Sequence, residues 1–151
     1  MVELDEIYNS RILELAGAIS RTERLEHPDA QATAHSKLCG STVTIDLSLR
    51  DGHVSDFGQS VKACLLGQAS ASVMAREIVG STPDELRTVG RQMRAMLKEG
   101  GPPPNGRWSD LSVLEPVRNY RARQASTLLV FDAVESALAD IEAQRGASGD
   151  Q

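Results

Sequence analysis

Cys39 and Cys64 are the side chains in this sequence best suited to metal or sulfur chemistry. A thiolate is both a strong nucleophile and a soft metal ligand. Cys64 follows a short strand-like run and precedes a run rich in small residues, so it falls where a strand ends and a helix begins. A helix N-terminus offers unpaired N–H groups and the positive end of the helix dipole, and both favour a thiolate. Lys62, two residues earlier, adds positive charge. Cys39 stands before Gly40, just ahead of the clearest strand, where glycine permits a tight turn. Pairing of the strand after Cys39 with the strand before Cys64 would bring the two thiols together. Their separation of 25 residues leaves a second reading open. Free cysteine is among the most buried residue types and often only fills space, and no repeated C-x-x-C pair decides for metal.

The other candidates are weaker. His35 lies four residues before Cys39 and could reach a metal bound there, but no second nearby histidine makes a ligand pair, and a solvated side chain is the alternative. His27 precedes a proline in a loop, and His53 follows a turn. There is no G-x-S-x-G elbow, no Walker loop and no dinucleotide fingerprint. The arginines of Arg118–Arg123 read as solvated positions around a helix start.

The elements that must position the cysteines are legible from periodicity. Leu4, Ile7, Tyr8, Ile12, Leu15 and Ile19 recur at helical spacing and predict a first helix over roughly 4–19. The polar stretch from Ser20 to Lys37 reads as an extended or loop segment. Val43, Ile45, Leu47 and Leu49 alternate with polar residues, the signature of a half-buried strand. Asp51-Gly52 marks a hairpin turn. A second strand over His53 to Phe57, a bend or bulge at Gly58 and a third strand over Ser60 to Ala63 complete a three-stranded antiparallel meander. Leu65 to Val79 is a small-residue helix with Gly80 beyond its end. Thr82-Pro83-Asp84-Glu85 starts the next helix as a capping box with proline at the first position. Gly100 to Gly106 is a loop, Leu111 to Leu114 a short helix, and Tyr120 to Gln144 the last helix. Strands early and helices late give an α+β fold: N-terminal helix, three-stranded antiparallel sheet, C-terminal group of helices. One domain over 1–145 with a disordered tail over 146–151 is expected.

Composition narrows the partners. With 16 basic and 21 acidic residues the formal charge is −5, which argues against nucleic acid. No run of 18 apolar residues suggests a membrane span, and the start lacks a signal-peptide pattern. A cytoplasmic location follows, where thiols stay reduced. Aromatic residues make up only 3%, so the core must rest on Leu, Ile, Val, Ala and Met.

Three segments resemble a known family. Leu38-Cys39-Gly40-Ser41 before an alternating strand is similar to the C-G-D segment of IscU/NifU-type (SufU-like) iron–sulfur cluster scaffolds. Ala63-Cys64-Leu65-Leu66-Gly67-Gln68-Ala69-Ser70-Ala71-Ser72 resembles that family's G-C-x-x-x-x-A-S-A-S. Arg121-Ala122-Arg123-Gln124-Ala125-Ser126-Thr127-Leu128-Leu129 resembles its P-A-R-x-x-C-A-T-L.

The resemblance implies a non-enzymatic platform on which iron and sulfide are assembled and passed to apo-proteins, with a cysteine desulfurase supplying sulfur. It implies Cys39 and Cys64 as ligands to iron, to a transient cluster of the [2Fe–2S] kind, or to zinc. The ligand set departs from the family: Ser41 stands in the aspartate position, Ser126 in the third-cysteine position, and Ala125 where some members have histidine. A serine hydroxyl stays protonated near neutral pH and binds iron or zinc poorly. Two thiolates fall short of the four that a cluster usually takes, so a homodimer sharing one cluster is one expectation. A persulfide carrier and an interaction domain that has lost the chemistry are the alternatives.

Overall fold

The computed structural model describes residues 9–37 and 40–147. Helix α1 covers Ser10–Gly17 and opens with the Asn9 side chain accepting from the Ile12 N–H at 3.0 Å. Its Ile12, Leu15 and Ala16 face the core. The helix stops at Gly17, short of the expected 19, and residues 4–8 of the expected helix lie outside the described residues. Strands β1 (Ala30–His35), β2 (Thr42–Arg50) and β3 (His53–Lys62) form an antiparallel sheet in that order. Helices α2 (Leu65–Glu77) and α3 (Pro83–Glu99), a 3-10 segment (Gly106–Asn119) and α4 (Arg121–Ala147) follow.

The expected three-stranded meander is present, but its strands differ from those expected. The stretch read as an extended or loop segment contains β1. Its inward residues are only alanines, Ala30, Ala32 and Ala34, which face Leu47, Ile45 and Val43 of β2. The two strands expected before Cys64 are one, since β3 runs unbroken through Gly58. The bulge falls earlier, at the register shift beside Ser48/Leu49. Gly58 has a different purpose. A Cβ there would sit 2.2 Å from the Glu23 carbonyl oxygen, because residues 21–25 cross the outer face of the sheet at that point. The hairpin turn at Asp51-Gly52 has φ values of 55° and 79°, as a turn favouring Asp-Gly requires.

Asp46 anchors the crossing segment. It points outward from β2 yet is fully buried. Its carboxylate accepts from Arg24 Nε (2.6 Å) and Nη2 (2.9 Å), the Leu25 N–H (3.0 Å) and Gln31 Nε2 (3.0 Å). Burial alone would push its pKa up. The Arg24 pair, with Gln31 and the Leu25 N–H, outweighs burial and holds it below the usual carboxylate value.

The helices lie on the inner face. α4 packs on β1 and β2, and α2 packs on α4 and β3. Thr82 caps α3 as expected, its hydroxyl accepting from the Glu85 N–H at 3.1 Å, with Pro83 in the first turn. The Glu85 carboxylate reaches Arg107 and the Trp108 indole N–H, so it ties α3 to the 3-10 segment as well. The short helix expected over Leu111–Leu114 lies inside that 3-10 segment. Helix α4 continues through Ala147, so Gly146 and Ala147 of the expected tail are helical, and residues 148–151 lie outside the described residues. Among the described residues the core is aliphatic, with Trp108, Phe57 and Phe131 as its aromatic members.

Candidate functional site

β2 and β3 pair so that Thr42 faces Lys62. The start of β2 and the end of β3 are therefore neighbours, as the positions of the two cysteines required. Ser41 precedes β2 and Cys64 follows β3. Cys64 is the N-cap residue of α2, with extended backbone (φ −67°, ψ 173°) and its carbonyl accepting from the Gln68 N–H at 3.0 Å. Its sulfur makes no bond to the first-turn N–H groups. The partner is Ser126, one turn into α4: Cys64 Sγ and Ser126 Oγ are 3.1 Å apart. Ser126 Oγ lies 3.3 Å from Ser41 Oγ. Both serines are buried, and Cys64 is partly exposed.

Three segments far apart in sequence thus converge on one thiol and two hydroxyls. The glycines explain how. Gly40 has φ +73°, which closes the turn between β1 and β2: the Gly40 N–H donates to Ser36 O and the Ser36 N–H to Ser41 O, both at 2.9 Å. Gly67, one of the small residues of α2, lies against the start of α4. A Cβ there would lie 2.8 Å from Ala63 Cβ, 2.9 Å from Ser126 Oγ and 3.1 Å from Ser126 O. Its missing side chain lets α4 come close enough for Ser126 to meet Cys64. Gly67 is the site residue that spacing did not reveal, and its place three residues after Cys64 in a helix start was the available signal.

The remaining expectations divide. Cys39 lies outside the described residues, two positions before Ser41. His35 is exposed on the outer face of the sheet, its Nδ1 3.0 Å from Thr42 Oγ1. Strand alternation puts Ser41 and Val43 on the inner face instead, so His35 is not brought to Cys64. Lys62 is exposed in the same cross-strand row as Thr42 and His35. Among the described residues no group of three or more His, Cys, Asp or Glu side chains stands together as a metal-holding set. The donors that the described residues gather here are one thiol and two hydroxyls.

A helix, a three-stranded meander and a helical layer that meet at one accessible cysteine define a thiol platform. No family model matches the sequence. A crystal structure of a nitrogen-fixing NifU-like protein (N-terminal) from Brucella abortus superimposes with a TM-score of 0.92 at 59% identity, over 93% of this chain and 98% of that one. The chain belongs to the NifU-like, IscU-type family. The iron–sulfur cluster assembly scaffold protein IscU of Thermotoga maritima is 25% identical over 135 residues, 89% of this chain and 94% of its own. A SUF-system scaffold structure from Fervidobacterium islandicum shares the fold, with a TM-score of 0.80 at 22% identity over 89% of this chain and 98% of that one.

Proposed function

We infer that this chain is an iron–sulfur cluster assembly scaffold that takes up iron or a nascent cluster through Cys39 and Cys64 and passes it to apo-proteins. The observation that carries the reading is the meeting of Cys64, Ser41 and Ser126 at the start of α2. In a family whose relatives are named as scaffolds, these are the positions that resemble its ligand segments. The cluster is cargo, built from iron and from sulfur supplied by a cysteine desulfurase, and the cytoplasm keeps the thiols reduced for it. No described helix is long and apolar enough to cross a membrane.

The donor chemistry sets the stoichiometry. Hydroxyls of Ser41 and Ser126 stay protonated near neutral pH and hydrogen-bond without replacing thiolates as ligands. Each protomer offers two thiolates, so a [2Fe–2S] cluster with four is shared between two protomers. Anaerobic reconstitution with iron, sulfide and reductant tests this. The expected result is a coloured species of dimer mass that is lost in Cys39→Ser and in Cys64→Ser. A colourless, metal-free protein overturns it.

One observation favours a second reading. Among the described residues Cys64 Sγ meets a hydroxyl and no carboxylate, an arrangement that suits a sulfur nucleophile without a metal. In that reading Cys64 attacks a desulfurase persulfide. It gains one sulfur atom and the enzyme's cysteine leaves as thiolate, with no net oxidation. Mass spectrometry after incubation with a desulfurase and cysteine should find one added sulfur on Cys64; an unmodified Cys64 removes this reading.

A further inference from the structure

The three segments that build the site contain no acidic residue. Residues 30–45, 57–75 and 116–131 hold five basic residues, Lys37, Lys62, Arg118, Arg121 and Arg123, and no Asp or Glu. The rest of the chain holds eleven basic and twenty-one acidic residues. The fold gathers the basic ones at one end. α4 passes Ser126 at the site and reaches the far end of the sheet, where Arg145 lies 3.9 Å from Asp29 at the start of β1. Its first turn, with Arg121 and Arg123, therefore projects beyond the site end, about 7.5 Å along the axis from Ser126 to Arg121. Lys37 lies in the turn before Ser41 and Lys62 two residues before Cys64, and both are exposed.

A cavity completes this end. It has a volume of about 270 Å³ and is lined by Leu97, Lys98, Arg121 and Gln124. Gln124 is buried, and its Nε2 donates to Leu97 O (3.0 Å) and Arg118 O (3.1 Å), which fixes the end of α3 against the start of α4. The cavity is thus preformed. Elsewhere most of the described arginines are ion-paired, among them Arg24 with Asp46, Arg87 with Glu142, Arg94 with Asp132 and Glu135, and Arg107 with Glu85. Glu115, the acid nearest this end in the 3-10 segment, is paired with Arg118. Lys98, Arg121, Lys37 and Lys62 make no ion pair among the described residues.

We propose that this positive end is a docking surface for an acidic segment of a partner protein, with one carboxylate of that segment seated in the cavity between Lys98 and Arg121. Charge complementarity chooses the occupant. A short acidic segment meets a mainly cationic rim, in which Glu99 stands beside Lys98, whereas an extended nucleic acid would run onto the acidic remainder of the surface and be repelled. The cavity mouth suits a bidentate or forked contact from Arg121 to a carboxylate, with Lys98 as a second point charge. Such docking would place the partner over the partly exposed Cys64. It goes beyond the scaffold reading and does not depend on metal or sulfur chemistry.

The test uses the full chain, isotope-labelled, titrated with a capped hexaglutamate peptide and followed by amide shifts. At about 20 mM salt, saturable shifts are expected at Lys37, Lys62, Lys98 and residues 121–124. They should weaken severalfold at about 150 mM, where the screening length is roughly 8 Å. The double variant Lys98→Glu, Arg121→Glu should weaken binding about tenfold or more while its melting temperature and its far-ultraviolet spectrum stay those of the parent. Lys98→Ala alone, a milder change on an exposed helix end, should weaken it severalfold. Shifts centred elsewhere, or unaltered by these substitutions, overturn the proposal. Tighter binding of an oligothymidylate of the same charge overturns it in favour of nucleic acid.

Discussion

Replacing Asp46 with asparagine should destabilise the protein by about 2–3 kcal/mol, through the loss of charge from a buried acceptor. Asp46 has no exposed surface and accepts four hydrogen bonds, from Arg24 twice, Leu25 and Gln31. A bond to a charged group contributes about 1 kcal/mol more than a neutral one. Two of the four come from Arg24, whose side chain is 44% exposed, so water screening roughly halves their share. Relief of the carboxylate's burial cost offsets part of the remainder. In a domain of this size the loss corresponds to about 5–10 °C in melting temperature. The pH dependence has a fixed sign. The folded pKa of Asp46 lies below its ordinary value, so its stabilisation is full above the unfolded carboxylate range and is lost as pH falls through the lowered folded value. The gap between parent and Asp46→Asn in urea unfolding should therefore be about 1 kcal/mol smaller at about pH 3 than at about pH 7. Equal midpoints at neutral pH would refute the reasoning, as would a gap that does not change on acidification.

Gly58→Ala should cost at least about 2 kcal/mol in urea unfolding, because its Cβ would meet the Glu23 carbonyl at 2.2 Å and either the sheet or the crossing segment must move. Gly67→Ala gains up to about 1 kcal/mol of helix propensity but drives Ser126 away from Cys64. Its expected signature is a several-fold change in Cys64 alkylation rate together with a net loss of about 1–2 kcal/mol, because Ala63 and the Ser126 backbone must also give way. Ser126→Cys, 3.1 Å from Cys64 Sγ in the parent, supplies a third thiolate and should raise zinc affinity by roughly 100-fold or more in a chelator competition.

How much of this was legible in the sequence depends on what carries each feature. The alternation from Thr42 to Leu49, the Asp51-Gly52 turn and the Thr82 cap are local signals, and each stands where it was read. β1 was missed because its inward side chains are alanines, too small to give a strong alternating pattern. Its pairing partner on β2, not its own propensity, makes it a strand. Gly58 was read as a bend or bulge because strand glycines often mark one, yet the cause is a neighbouring backbone that no local pattern announces. Asp46 looked like one more polar residue on a half-exposed strand; the aperiodic segment 21–25 buries it. Of the site, the pairing of the strands beside Cys39 and Cys64 was legible from topology, whereas Ser41 and Ser126 entered only through resemblance. The contact of Cys64 with Ser126 joins residues 62 apart in sequence, and that of Ser41 with Ser126 residues 85 apart, separations at which spacing carries no information.

Those same separations fix when the site can come into being. Cys64 leaves the ribosome 62 residues before Ser126, an interval of roughly 3–12 seconds at ordinary synthesis rates. Until α4 is made and laid across the sheet, the start of α2 has no roof, and its sulfur stands without the hydroxyl that will meet it. The closing helix is thus also a clock: a nascent chain carries its thiols before it carries its site, and nothing that requires the assembled geometry can begin until the C-terminal part of the molecule has arrived.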